Sequence, residues 1–516
     1  MSLRRKSYIA FIVMVLTLPL VPGWAQSQER LDLLALTRLK SEAYNNSQTM
    51  NVVSWIVDIY GPTVTGSPNM HNAANYLERQ MKEFGLSNVH QETFPFGKSW
   101  EYKRFYVHEL APQSFPILGG VEAFTGGTPG WVKGEVVLFG VQEDRSKYAG
   151  KLKGKFVLLP KPPPFEMPSR PTGKLTDEQL ARMAQTGPPT RRWPEENRDP
   201  AEIKKRLQEQ SAEAKWFVDQ GVLATIESSF IGEFGTVFVG PGRNESPDVI
   251  LGVPQITIAT EHYNRIVRQL GKKIPVTLEM NIEVEADNKM GAAINVVGEI
   301  PGGDKADELV ILGGHYDAVA AGSGTGATDD VVGCVTALEA VRLIQASGLK
   351  PRRTIRVACW SGEEEGLLGS RAYVQAHFRD WNTGALKPEH SKLSVYFNLD
   401  NGAGAIRGVH TRGNDSIFPI FTQWMKPLNN MGVTTLTTGG GPGTDDHSFD
   451  KAGLPGFEFL QDPLDYSEHT HHSNMDTYER IPLEDTIKNS VIMAFFAWQA
   501  ANRDEMMPRK PLPSTH

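Results

Sequence analysis

Leu309-Val310-Ile311-Leu312-Gly313-Gly314-His315-Tyr316-Asp317 is the stretch that decides the fold of this chain. Four apolar residues in a row suit a strand covered on both faces, and the glycine pair ends it just before a His and an Asp. A helix is expected near 331 to 346, where Val331, Val335, Leu338 and Val341 align on one face. Ile355, Val357 and Cys359 then alternate with Arg356, Ala358 and Trp360, which is a strand pattern. Another helix starts near Leu367, and Leu393, Val395, Phe397 and Leu399 form a further alternating strand. Strand, helix, strand in this order predicts an α/β fold, with a central sheet flanked by helices.

Outward from this core, residues 31 to 60 carry helical spacing in Leu31, Leu34, Ala35, Leu39, Val53, Ile56 and Val57. Gly66-Ser67-Pro68 reads as a turn with Ser at an N-cap and Pro at the first helical position. The helix it starts runs through Ala73, Ala74, Leu77 and Met81 to Gly85, and Val89 to Phe94 reads as a strand. From 119 to 285 the texture changes to short strands punctuated by glycine, with helical stretches from Glu202 to Asp219 and after Ile258. Within it, 161 to 200 is a Pro-rich and charged surface excursion. The organisation expected is a larger domain in two parts, 26–118 and 286–505, interrupted by a smaller strand-rich unit at 119–285 and followed by a tail at 506–516.

Arg4, Arg5 and Lys6 precede an apolar run from Tyr8 to Val21, with small residues at Gly23 and Ala25. This is the pattern of a secretory signal peptide at 1–25, so an exported protein is expected, periplasmic or extracellular, with no stable membrane span after cleavage. The chain has 516 residues, 40% hydrophobic and 22% charged, which excludes global disorder. A formal net charge of -7 argues against a nucleic-acid partner. Two cysteines exclude a disulfide scaffold; Cys334 on a helix and Cys359 in a strand read as buried free thiols.

The chemistry lies at the strand ends. Gly314-His315-Tyr316-Asp317, Gly362-Glu363-Glu364-Glu365-Gly366 and Asn398-Leu399-Asp400-Asn401 all fall where an open α/β sheet binds ligands. Asp329-Asp330 lies in a loop holding Gly322, Gly324 and Gly326, and His469-Thr470-His471-His472 comes near the chain's end with Asp476. Each alone has an ordinary reading as a surface pair, an acidic turn, a helix cap or a loop. Together they would leave repelling carboxylates in one crevice, which a multivalent cation relieves. Two His and three carboxylates suit zinc, with manganese or cobalt as alternatives.

The set of motifs resembles the co-catalytic zinc exopeptidases, family twenty-eight of the metallopeptidases, which includes bacterial leucyl aminopeptidase and the glutamate carboxypeptidases. It is most similar to the plasma glutamate carboxypeptidase branch. Besides the strand-end clusters, the likeness rests on Ala327-Thr328-Asp329-Asp330 with Gly333, Gly369-Ser370, Asp446-His447-Ser448-Phe449, and His471-His472-Ser473 with Asp476-Thr477. The resemblance implies a mixed sheet of zinc exopeptidase type and a protease-associated domain at 119–285. It also implies two Zn²⁺ per chain: Asp329 bridging, His315 and Asp400 on one metal, Glu364 and His472 on the other. The resemblance implies His472 rather than His469 or His471, because it stands four residues before Asp476, as the family's ligand does. Glu363 would be the general base and Asp317 the partner of the His315 ring. Asp446 and His447 would line the pocket or orient substrate. A Tyr that some relatives carry just before the Asp-His pair is replaced here by Gly441-Pro442-Gly443-Thr444.

The residue chemistry fits those roles without the family. A metal lowers the pKa of bound water from ~15.7 to about 7, and a carboxylate that binds no metal is needed to move the proton. The resemblance, and not the residue chemistry, implies exopeptidase action: hydrolysis of a terminal bond in dipeptides or short peptides, as a carboxypeptidase Q-like dipeptidase or an aminopeptidase. Arg407 and Arg412 are candidate cations for a substrate carboxylate. A single-zinc glutaminyl cyclase and a non-catalytic transferrin-receptor-like binding protein are the alternatives on the same fold. A homodimer is among the assemblies the insert leaves open.

Overall fold

The computed structural model describes residues 29–140, 145–160, 173–185, 200–230, 234–240, 252–319, 324–439, 441 and 443–512. The leader expected at 1–25 and much of the Pro-rich excursion lie outside these residues.

Asp32 starts α1 (Leu33–Asn46), its side chain accepting from the Ala35 amide at 2.9 Å. α2 (Thr49–Ser54) and a π-helical turn (Trp55–Tyr60) follow, so the helical spacing of 31–60 is realised in three pieces. Ser67 caps α3 (Pro68–Glu83) by accepting from Met70 N at 3.1 Å, and Pro68 sits where an N–H would have no helical partner. β1 (Ser87–Ala111) then runs for 25 residues, far past the expected Phe94.

β2 (Phe115–Pro116), β3 (Gly119–Val121), β4 (Val132–Leu138) and β5 (Phe156–Leu158) come next. α4 (Asp177–Gln185), α5 (Pro200–Asp219), β6 (Ala224–Ser228), β7 (Gln255–Ile258) and α6 (Thr260–Gly271) follow. Strands β4 to β7 are parallel in the order β4-β5-β6-β7, and β3 closes the edge antiparallel to β7. A parallel pair needs a crossover, and the chain between β5 and β6 carries α4 and α5.

β8 (Thr277–Ile300) returns along β1, paired from Ala111–Thr277 to Ser87–Glu299. Both strands therefore run from the smaller unit into the larger one, and β8 passes residue 285 without a break. Each strand satisfies the other's backbone groups along the way, so no linker is needed there.

The larger unit continues with β9 (Lys305–His315), α7 (Val332–Ala346), β10 (Arg353–Trp360), α8 (Leu368–His377) and β11 (Leu393–Asn398). β12 (Ile406–His410), α9 (Phe418–Met425), β13 (Thr435–Thr437), α10 (Asp446–Lys451), β14 (Gly456–Gln461) and α11 (Leu483–Asn502) complete it. The sheet order is β13-β12-β14-β11-β9-β10-β8, and β4 pairs antiparallel with β8 so that the order continues into β5-β6-β7-β3 of the smaller unit. β10, β9, β11 and β14 run parallel, β8 is antiparallel to β10, and β12 is antiparallel to β14 but parallel to β13, so the sheet is mixed as expected. β11 is buried on both faces along its whole length. α7 is buried from Val332 to Ile344 because it packs between the sheet and α11. Burial of each large side chain in such a layer contributes about 1.5–3 kcal/mol. Cys334 and Cys359 are buried and free. Among the described residues no helix is long and apolar enough to cross a membrane.

β9 lies between β10 and β11. The chain leaves β9 toward one side through α7 and returns on the other side through α8. A crevice opens at such a reversal, beyond the carboxyl ends of the strands.

Candidate metal centre

His315 ends β9 and lies opposite Trp360 of β10 in register, while Asp400 follows the end of β11. The loop to α7 must come close for Asp329 to join them. Two glycines permit it: a Cβ at Gly314 would fall 2.6 Å from Asp330 Oδ2, and one at Gly333 would fall 2.1 Å from the Leu399 carbonyl oxygen.

The five residues expected as ligands come together. His315 Nε2 lies 3.6 Å from Asp329 Oδ1 and 3.7 Å from Asp400 Oδ2. His472 Nε2 lies 2.9 Å from Glu364 Oε2 and 3.2 Å from Asp329 Oδ2. Asp329 thus presents one oxygen to each group. Glu363 is adjacent, its Oε2 3.9 Å from His315 Nε2. His471 also approaches, with Nε2 3.6 Å from Asp329 Oδ2 and its ring stacked on His472 at 3.8 Å. Its side chain is 44% exposed, and the contact to Glu364 belongs to His472.

A surrounding set of bonds orients these groups. His315 Nδ1 lies 3.0 Å from the Asp317 backbone oxygen and 3.4 Å from its carboxylate, which favours a proton on Nδ1 and a lone pair on Nε2 facing Asp329 and Asp400. The Asp317 carboxylate also accepts from Thr65 Oγ1 at 3.0 Å and from the amides of Glu363 and Glu364 at 3.3 Å each. It therefore orders the Glu loop as well as the ring, a second duty that the sequence did not show. Asp476 accepts from Thr328 N at 2.6 Å and Thr328 Oγ1 at 2.7 Å, holding the loop that carries Asp329. Thr444 donates to Asp400 Oδ2, and Asp400 N donates to Glu458 at 2.8 Å.

Burial opposes a charged His315, but Asp400, Asp317 and Asp329 outweigh it and hold its pKa well above the ordinary range. Burial likewise opposes an ionised Asp329, but His471, His315 and His472 hold its pKa well below the usual carboxylate range. Glu363 is pushed well above it by burial, with Asp400, Glu364 and Asp445 adding to the shift against His315.

Three residues near the cluster escaped the sequence reading. Tyr466 donates its hydroxyl to Asp329 Oδ1 at 2.6 Å. A phenol is therefore present at the site, but six residues before His472 rather than just before Asp446. Thr65 had no local signal. Asp445 is the third: both its carboxylate oxygens are buried with no well-formed hydrogen bond. Burial, Asp400 and Asp317 push its pKa up to about 8 against His315 and the Ser370 hydroxyl. Of the adjacent pair, Asp446 is instead engaged by Arg412, with Arg412 Nη2 2.6 Å from Asp446 Oδ1. His447 follows, its pKa lowered to about 3 by burial and by Arg412 and Lys451. Arg407 pairs with Asp462 at 3.1 Å. Both arginines considered for a substrate carboxylate are thus in ion pairs.

The donor set is imidazole and carboxylate, which suits zinc. Asp329 Oδ2 and Glu364 Oε1 are buried without a hydrogen-bond partner, as expected of oxygens that face a cation. The ligand atoms of His315, Asp329 and Asp400 lie within 4.8 Å of one another, as do those of Asp329, His471 and His472. The residues present therefore fit metal binding.

Residues 295–497 match the model of Peptidase family M28. Carboxypeptidase Q of Mus musculus is 26% identical over 88% of this chain and 86% of its own length. The Homo sapiens carboxypeptidase Q is also 26% identical, over 88% and 85%. Among solved structures, a Peptidase M28 precursor from Shewanella amazonensis SB2B aligns with a TM-score of 0.67 at 24% identity, covering 93% of this chain and 99% of that one. A zinc aminopeptidase from Bacillus subtilis aligns with a TM-score of 0.56 at 18% identity, covering 89% and 95%. These two share the fold.

Proposed function

We propose that this chain, whose residues 295–497 match the model of peptidase family M28, is a zinc-dependent exopeptidase acting on dipeptides or short peptides. The observation that carries the reading is Asp329, which turns one oxygen toward His315 and the other toward His472 and is shared by two ligand groups. His315, Asp329 and Asp400 would hold one zinc, and Asp329, Glu364 and His472 a second. Bound there, the two ions supply an acidified water and polarisation of the scissile carbonyl.

The chain's own residues do the rest. Glu363 takes the proton of the attacking water and returns it to the leaving nitrogen. Asp317 keeps the His315 ring in one tautomer and holds the Glu363 and Glu364 amides in place. Tyr466 fixes the carboxylate of Asp329. With Arg407 paired to Asp462 and Arg412 to Asp446, both candidate cations for a substrate carboxylate are already engaged, which favours recognition of the free amino end. The likeness to relatives named carboxypeptidase Q supports hydrolysis at a peptide terminus. The leader pattern at 1–25 supports export, and the parallel run of β4 to β7, joined to β8 through β4, supports a protease-associated insert at 119–285.

A single-zinc glutaminyl cyclase is the competing reading. His315 and Asp400 beside Asp329 favour two metals over one. The deciding experiment is a dipeptide panel with free, amino-blocked and carboxyl-blocked termini, run with and without chelator, together with zinc content per chain. Chelator-sensitive cleavage that needs a free amine, with two zinc ions bound, is expected. One zinc with cyclase activity, or no hydrolysis, refutes the reading.

A further inference from the structure

The smaller unit meets the candidate metal centre through a short backbone pairing. Val239 N donates to the His472 carbonyl at 3.1 Å, and Asn474 N donates to the Val237 carbonyl at 3.1 Å, with Phe238 facing Ser473 between them. Asn474 adds its side chain: Oδ1 accepts from Val237 N at 2.7 Å and Nδ2 donates to the Gly235 carbonyl at 3.0 Å. An amide supplies both a donor and an acceptor, which neither a carboxylate nor an ammonium does.

The anchor on the other side is firm. Val237 and Val239 are buried against Ala259, and Phe238 N donates to Ser229 Oγ at 3.0 Å. The turn it holds is a demanding one. His472 has φ +58°, a left-handed conformation that a non-glycine residue keeps only when its surroundings impose it. Behind the turn, Gly324 lies so close to the Ser473 carbonyl that a Cβ there would be 2.2 Å from its oxygen. The turn is thus pressed between the loop that leads to Asp329 and the strip 235–239.

We propose that Asn474 is a positioning residue. By tying the 472–474 turn to the backbone of 235–239, it holds the His472 ring toward Asp329 and Glu364. The smaller unit thereby sets the affinity of one of the two metal groups. This inference rests on the zinc reading above.

The test is a titration of Zn²⁺ into the chelator-stripped full chain, in competition with a chromophoric chelator. Wild type, Asn474→Ala, His472→Ala and His315→Ala are compared, with thermal unfolding as the check of folding. Wild type is expected to bind two equivalents, one lost in each His variant. Asn474→Ala is expected to weaken the equivalent that His472→Ala removes by about 10–100-fold, the usual effect of losing a residue that orients a ligand, and to leave the other unchanged. Should that variant fail to fold, Asn474→Asp keeps the acceptor for Val237 N and carries the same comparison with a smaller shift. Two wild-type equivalents with no selective weakening overturn the inference alone. A wild-type chain that binds no zinc overturns the zinc reading and this inference with it.

Discussion

Glu363 and Glu364 are neighbours in sequence, and the structure assigns them opposite behaviour under the same substitution. Glu364 lies 2.9 Å from His472 and has a buried oxygen with no hydrogen bond. Glu363 stands at the edge, 3.9 Å from His315, with 14% of its side chain exposed. Its amide bond to Asp317 is made by the backbone, so Glu363→Gln leaves the loop in place. The change removes only the capacity to take a proton. The expected loss is about 10²–10⁴ in kcat. At 1.36 kcal/mol per decade that is about 2.7–5.4 kcal/mol of barrier. KM and bound zinc should stay close to wild type, because the amide is nearly isosteric and not needed as a ligand. Glu364→Gln should instead lose zinc from the His472 group, and activity with it. The assay is dipeptide hydrolysis at saturating substrate, with metal content measured on the same samples. Full activity in Glu363→Gln refutes the general-base role. Loss of zinc in that variant shows that Glu363 is a ligand and that the two glutamates have been assigned in the wrong order.

Other consequences can be measured separately. Tyr466→Phe removes the 2.6 Å bond to Asp329 and should weaken zinc binding by about 10–100-fold in chelator competition, with little change in fold. Gly333→Ala would place a methyl 2.1 Å from the Leu399 carbonyl and 2.2 Å from Asp330 Oδ1, so a drop in the thermal midpoint equivalent to about 1–3 kcal/mol or more is expected. His377 joins α8 to β1 through Glu92 at 3.1 Å and also meets Glu389 at 3.2 Å. The hydrogen bond to Glu92 raises its pKa against the opposing effect of burial. The stability this bond contributes is present below the unfolded pKa, about 6.5, and lost as pH rises through the higher folded value. Thermal midpoints of wild type and His377→Gln should therefore converge at alkaline pH; a constant gap across that range would contradict the assignment.

Much of the candidate site was legible because it is local. The run from Leu309 to Leu312 could only be a covered strand, and His315, Glu363 and Asp400 fall just beyond strands whose apolar pattern is plain. Ser67 and Pro68 announce the start of α3 through cap chemistry that operates within four residues. Asp329 and His472 were singled out by the resemblance, through the family's spacing to Gly333 and Asp476. The fold supplies the reason for one of these distances: Gly333 allows α7 to begin against the end of β11.

What the sequence by itself determined is thus the order of strands and helices and the residue types waiting at the strand ends. Local periodicity and ligand chemistry are written in neighbouring residues. Only the tertiary structure decided which of two adjacent aspartates lies against the cluster. Arg412 engages Asp446, and that pairing depends on where β12 ends. It also decided that Tyr466, 137 residues away along the chain, supports Asp329, and that Thr65 supports Asp317. The 25-residue reach of β1 depends on β8, which lies almost two hundred positions later. Partners of this kind are chosen by the path of the backbone, because a hydrogen bond is set by distance and direction and leaves no periodic trace in the residues between.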